Sequence, residues 1–331
     1  MLGYSLCFLS AYIALDLALR VLNPLELHGG WEHQQVNEKL TKLKEYVSVD
    51  KDIDVVLYGN SVVMNVDVET IESDWSKMDL KVFNAGTGGL RPESANFVFN
   101  HGILPLSSPS VVLFVVGPRD LKDKKFVIKE RQPPMTSYMG RRILARTRSD
   151  RIMSNLETAF YSFRIRRPAR HFITHGGPPK TTTISVDARG VQNSFNGDLS
   201  KKYGRNKPFP DDEPYRSRYD NYMVNPDGEC AELKKLLESI QESGAKAALL
   251  NACLAPSAFS LFDDSKGNYS LYMETVTQIA SECSVPFYDM HRDLNLGNNH
   301  FANADHTNGV GDEVIANYIS RIVLPDLLKL E

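Results

Sequence analysis

The run Asp54-Val55-Val56-Leu57-Tyr58, closed by Gly59-Asn60-Ser61, constrains this chain more than any other stretch. Aliphatic and β-branched residues in unbroken succession, stopped by a turn residue, read as a buried strand. A serine just past the end of such a strand sits at the rim of a sheet, where open α/β sheets bind ligands. The segment beyond Ser61 turns helical near Asp67, so Ser61 lies in a strand-to-helix turn. An isolated Gly-x-Ser does no more than close a turn; three later loops of the same chain give this one its weight.

Further apolar runs alternate with helical periodicity. The spacing of Val36, Leu40, Leu43 and Val47 predicts a helix over Trp31 to Val47. The first strand covers Ile53 to Tyr58. A short helix comes next, from Val68 to Trp75, with Asp67 as its N-cap. The second strand, Leu80 to Phe83, ends in Asn84-Ala85-Gly86. Pro92 opens a helix reaching about His101, and Val111 to Val116 is the third strand, closed by Gly117-Pro118-Arg119-Asp120. Regularity returns at Asp227, a predicted N-cap, with Cys230, Leu233, Leu237 and Ile240 on one helix face. Lys246 to Ala252 is a fourth strand, Tyr269 to Cys283 a helix and Val285 to Tyr288 a fifth strand. A loop then carries His291, His300 and His306, and Val310 to Val323 is the closing helix. Strands separated by helices imply a parallel sheet with helices on both faces. Five such units with right-handed crossovers fit a doubly wound, flavodoxin-like α/β fold.

Between the third and fourth strands, residues 121–225 are rich in Arg, Pro, Gly and Ser. Only Ile152 to Ile165 reads as helical there, so the stretch is expected to be an irregular insertion or cap. The 331 residues suffice for one large α/β domain, here 23–331, with that insertion. Residues 1–22 stand apart. Leu2 to Leu15 is nearly all apolar, which suggests an N-terminal membrane anchor, although a spanning helix needs about 20 apolar residues. Arg20 follows the segment, which by the positive-inside rule argues weakly for a cytoplasmic body. The alternative is a helix of the globular part.

Composition excludes some classes. A net charge of −3 gives no sign of a nucleic-acid partner. The four cysteines, Cys7, Cys230, Cys253 and Cys283, form no C-x-x-C pair, so neither a zinc site nor a disulfide framework is indicated. The pair Gly86-x-Gly88 lacks the G-x-G-x-x-G spacing of a dinucleotide site. His171 and His175 precede Gly176-Gly177-Pro178, which argues against a helical metal pair. No metal or organic cofactor is implied.

Four loops fall at strand ends or before the last helix: Gly59-Asn60-Ser61, Asn84-Ala85-Gly86, Gly117-Pro118-Arg119-Asp120, and Asn303-Ala304-Asp305-His306. Their order and spacing resemble the four signature blocks of the SGNH (GDSL-like) hydrolase superfamily. Ile53 to Asp67, the helix after Arg91-Pro92-Glu93-Ser94, and Phe301 to Ile319 are most similar to its membrane-anchored bacterial branch. That branch is linked to acylation or deacylation of cell-surface polymers. The resemblance implies acyl transfer at an ester, with Ser61 as nucleophile and His306 as base. It also implies oxyanion donors at the backbone N–H of Ser61, the N–H of Gly86 and a side chain of the third block. The implied substrate is an acylated carbohydrate or cell-envelope polymer. A membrane acyl-donor partner would accompany transfer, and the location would be the extracytoplasmic cell envelope.

Two positions depart from the family pattern. Arg119 stands where the third block has Asn; a guanidinium could serve an oxyanion, or simply pair with Asp120 or Asp123. Asn303 stands three residues before His306, where the family has Asp. Asp305 immediately precedes the histidine, a position whose side chain is expected to point elsewhere. Asp305, or a distant residue such as Asp289, is the other source of charge. On this reading Asn303→Asp raises turnover, and a catalytically weak or inactive binding scaffold is the alternative. The basic run Arg141, Arg142, Arg146, Arg148, Arg151, Arg164, Arg166, Arg167 and Arg170 is either a solvated face or a contact for anionic lipid or polymer.

Overall fold

The computed structural model describes residues 2–22, 34–50, 52–122, 138–144, 148–163, 186–192, 222–262 and 267–328. His171, His175, Asp123, Arg146, Arg164, Arg166, Arg167 and Arg170 lie outside them, as do the start of the predicted helix at Trp31 and most of the insertion. The chain divides into two compact units, Met1–Asn37 with Glu130–Ile184, and Glu38–Lys129 with Ser185–Glu331.

The larger unit holds the sheet. Its strands are β1 (Val55–Gly59), β2 (Val82–Asn84), β3 (Val111–Val116), β4 (Lys246–Asn251) and β5 (Phe287–Asp289). They are all parallel and run β2-β1-β3-β4-β5. This is the flavodoxin-like order, whose switch point lies between β1 and β3. β1 and β3 are buried throughout, which is why their sequences are continuously apolar rather than alternating. Val55, Leu57, Leu113, Val115, Ala248 and Leu250 share one core cluster with the helices on that face. On the other face Tyr58 packs edge-on against Phe114, and its hydroxyl donates to the carbonyl of Ala95 at 2.8 Å. Gly59 ends β1 at φ +150°, where an added Cβ would lie 2.7 Å from the Val115 carbonyl oxygen. Only glycine lets the chain turn this close to β3.

Helices flank the strands: α2 (Gln34–Asp50), α3 (Val68–Asp74), α4 (Pro92–Val98), the single turn α5 (Pro118–Leu121), α8 (Ala231–Glu242), α9 (Pro256–Phe262), α10 (Asn268–Glu282), α11 (Met290–Leu294), α12 (Gly309–Tyr318) and α13 (Leu324–Leu328). Asp67 caps α3 as expected, accepting from the Glu69 amide at 2.9 Å. Asp227 is not a cap. Pro226 starts a wide π-type turn, Pro226–Cys230, with Asn225 before it, and α8 continues from that turn. Pro226 at the first position puts the entry two residues earlier than the sequence suggests, with Asn225 rather than Asp227 as the preceding residue. α9 and α11 were not expected. Both are short, and α11 lies where a loop was predicted.

The smaller unit contains α1 (Leu2–Leu22), α6 (Tyr138–Leu144) and α7 (Arg148–Ala159). Asp16, the acidic residue within the apolar run of α1, is buried. Its carboxylate accepts from the amides of Tyr161 at 3.0 Å and Ser162 at 2.7 Å, capping the helical turn beyond α7. Tyr12 meets the Ser162 hydroxyl at 2.6 Å, and Arg20 donates to the Ala159 carbonyl at 3.0 Å. Leu9, Ile13, Leu15, Leu17 and Val21 of the same helix are exposed. No described helix is long and apolar enough to cross a membrane.

Candidate active site

Ser61 comes just after β1 and Arg119 just after β3, so both stand at the switch point. Asn60 shapes the serine turn: its Oδ1 accepts from the Val62 amide at 2.8 Å. Its Nδ2 donates to both oxygens of Asp120, each at 2.7 Å. The Gly117 amide also donates to Asp120 at 2.8 Å. Burial raises Asp120 above the usual carboxylate range, against the pull of these donors and of Arg91 and Arg119. The bracket Asn60–Asp120 ties the serine turn to the loop after β3.

The fourth loop is a tight return. Phe301 bridges Thr307, and the carbonyl of His306 accepts from the amides of Ala302 at 2.8 Å and Asn303 at 3.3 Å. Asn308 then caps α12 by accepting from Val310 and Gly311. This geometry presents His306 towards Ser61, and the Nε2 to Oγ distance is 2.7 Å. Residues 245 apart in sequence therefore meet within hydrogen-bond reach.

The other ring nitrogen resolves the departure at Asn303. The Asn303 Oδ1 lies 3.2 Å from the amide nitrogen of Asp305, 3.1 Å from that of His306 and 2.8 Å from His306 Nδ1. Two backbone amides can only donate, so the Asn303 atom facing them is the oxygen. His306 Nδ1 must then carry the proton, which leaves the Nε2 lone pair for the Ser61 hydroxyl. The neutral amide thus holds the proton on Nδ1 and leaves Nε2 facing the Ser61 hydroxyl. Asp305 does not point elsewhere: its Oδ1 is 3.0 Å from the same Nδ1. Its Oδ2 forms an ion pair with Arg119 Nη1. Asp305 and Asn303 are both buried.

Three expectations for the site change here. Arg119 pairs with Asp305 rather than with Asp120, because the return of the fourth loop brings Asp305 to it. Gly86 borders the serine turn, and an added Cβ would lie 2.8 Å from Val63 Cγ2 and 3.0 Å from Met64 Cα. Its N–H, expected to face an oxyanion, donates to Asn84 Oδ1 at 2.9 Å. The Ser61 N–H has no intramolecular acceptor among the described residues. Asp289 is committed elsewhere, to Asn251 Nδ2 at 2.7 Å and to the start of α11. His291 stacks on Phe259, and burial lowers its pKa.

Lys39 escaped the sequence reading altogether. It is 2% exposed, and its ammonium donates to the Asn84 carbonyl at 3.1 Å, to Asn84 Oδ1 at 3.4 Å and to the Gly190 carbonyl. Asn84 Nδ2 in turn holds the carbonyls of Val63 at 2.7 Å and Val66 at 2.9 Å. Lys39 thus braces the loops around Ser61 from below. The signal was legible: Lys39 falls on the Val36–Leu40–Leu43 stripe, where a lysine is out of place. Among the described residues no group of three or more His, Cys, Asp or Glu side chains is arranged to hold a metal ion.

No family model and no curated protein matches the chain. Solved structures do. A GDSL-like lipase from Bacteroides thetaiotaomicron is 12% identical, covering 88% of this chain and 100% of its own, with a TM-score of 0.43. An acetyl xylan esterase is 13% identical over 81% of this chain and 98% of its own, with a TM-score of 0.39. The psychrotrophic esterase EstA from Pseudoalteromonas sp. is 11% identical over 84% and 97%, with a TM-score of 0.41. All three are distant likenesses, at 13% identity or below.

Proposed function

We propose that this protein is a serine-dependent acyl ester hydrolase or O-acyltransferase, with Ser61 as nucleophile and His306 as base. The observation that carries the proposal is the continuous relay Ser61 Oγ to His306 Nε2 at 2.7 Å and His306 Nδ1 to Asn303 Oδ1 at 2.8 Å. Ser61 attacks the ester carbonyl while its proton passes to Nε2. The tetrahedral oxyanion forms beside the Ser61 amide. Nε2–H then protonates the leaving alkoxide, and an acyl-Ser61 ester remains. Water, or the hydroxyl of an acceptor, attacks that ester with Nε2 again taking the proton, and Ser61 is regenerated. The charge that imidazolium needs is close at hand in Asp305.

The substrate class we propose is an acylated carbohydrate or cell-envelope polymer, with a membrane acyl-donor protein as partner if the reaction is transfer. We also propose that the exposed apolar residues of α1 rest against a membrane surface, with the exposed Arg142, Arg148 and Arg151 of the same unit turned to anionic headgroups or polymer. Hydrolysis of a small chromogenic acetyl ester tests the chemistry. Wild type should turn it over, and Ser61→Ala and His306→Ala should not. A folded wild type without activity would favour the inactive scaffold.

A further inference from the structure

We infer that Arg119 is a positioning residue that acts on His306 through Asp305, and does not donate to the oxyanion. The inference rests on Ser61 and His306 being nucleophile and base. The two oxygens of Asp305 face different partners: Oδ2 meets Arg119 Nη1, and Oδ1 lies 3.0 Å from His306 Nδ1. The Asp305 side chain is 3% exposed and that of Arg119 39%. A buried carboxylate between a guanidinium and an imidazole N–H is held by both. Withdrawing the guanidinium to serve an oxyanion would take a paired charge away from that buried carboxylate, which is costly.

The backbone beneath Arg119 is fixed as well. Arg91 Nη2 donates to the carbonyls of Arg119 at 3.1 Å, Asp120 at 3.2 Å and Lys122 at 2.7 Å. Asp120, the next residue, is bound by Asn60 beside Ser61. The contacts close a ring: Ser61, Asn60, Asp120, Arg119, Asp305, His306 and back to Ser61. Two residues therefore divide the work of one orienting acid. Asn303 sets the tautomer and ring plane, and Asp305 supplies the charge in a position that Arg119 fixes.

A double-mutant cycle on the full chain tests this, read by kcat and KM for the chromogenic acetyl ester and by Ser61 labelling with a fluorophosphonate. Asp305→Asn should lower kcat about 100-fold and Arg119→Gln about 10-fold, with KM changed less than about 2-fold. Arg119→Gln added to Asp305→Asn should bring no further loss, because its route runs through the carboxylate. Arg119→Lys, which keeps a cation for Asp305, should restore most of the rate. An equal loss from Arg119→Gln in both backgrounds would overturn the inference and return Arg119 to the oxyanion. If the wild-type serine takes up no phosphonate, the acyl-transfer reading falls and this inference with it; labelling with additive losses overturns this inference alone.

Discussion

Replacing Lys39 by methionine should change how stability depends on pH. Burial pushes the Lys39 ammonium down from 10.5 to about 7, with Asp187 pulling the other way. Moving the titration that far corresponds to about 5 kcal/mol between the charged and neutral forms. This is an upper figure, because three oxygens accept from the ammonium and favour its charged form. Below about pH 7 the lysine is charged in folded and unfolded chains alike, so it adds no slope. Between about 7 and 10.5 the unfolded chain keeps the proton while the folded chain sheds it, and stability rises with pH by up to about 1.4 kcal/mol per unit. Urea unfolding of wild type and Lys39→Met at about pH 6, 7, 8 and 9 reads this directly. Lost hydrogen bonds to Asn84 and Gly190 give the variant a constant offset, whereas the titration gives a divergence. Wild type should gain about 2–3 kcal/mol on the variant between about pH 7 and 9. Parallel curves would refute the reasoning and leave Lys39 charged throughout.

Asn303→Asp should change kcat less than about 3-fold, because Asp305 already stands beside Nδ1 and a second carboxylate adds repulsion; Asn303→Ala, which frees the ring, should lose about 100-fold. Ester turnover of both variants checks this, and a large gain in the first would restore the expectation drawn from sequence. Asp16→Ala should destabilise the smaller unit by about 1–2 kcal/mol by uncapping the turn at Tyr161 and Ser162. Hydrogen exchange should speed up at those two amides in the variant. Burial raises the pKa of Asp16, but bonds from Ser162 and Tyr161 outweigh that and lower it. Its contribution is thus present at neutral pH and lost as acid protonates the folded carboxyl.

The sheet was legible because each strand is a short apolar run ended by a turn residue, and β1 and β3 are buried on both faces. Ser61 and His306 were singled out by the resemblance of their loops, and the fold brings the two side chains within 2.7 Å. The roles of Asn303, Asp305 and Arg119 were not, because they depend on one tight return between Phe301 and Thr307. That return folds Asp305 back towards the imidazole and brings it to a guanidinium 186 residues away in sequence. Side-chain direction in so short a loop is set by its hydrogen bonds rather than by any periodicity. The role of Asp16 was not legible for a related reason. A carboxylate in an apolar run reads as an interruption, and its partners, amides 145 and 146 residues away, have no local signature. α9 and α11 are too short for a 3.6-residue pattern to emerge.

In the proposed reaction, activation of Ser61 by His306 is the step on which all the chemistry depends. Incubating the full chain with a fluorophosphonate, then mapping the adduct by mass spectrometry, measures it most directly. Wild type should carry a single phosphonyl adduct on Ser61, formed at least about 100-fold more slowly in His306→Ala. A folded wild-type chain left unlabelled at Ser61, or labelled equally fast without His306, would contradict that activation.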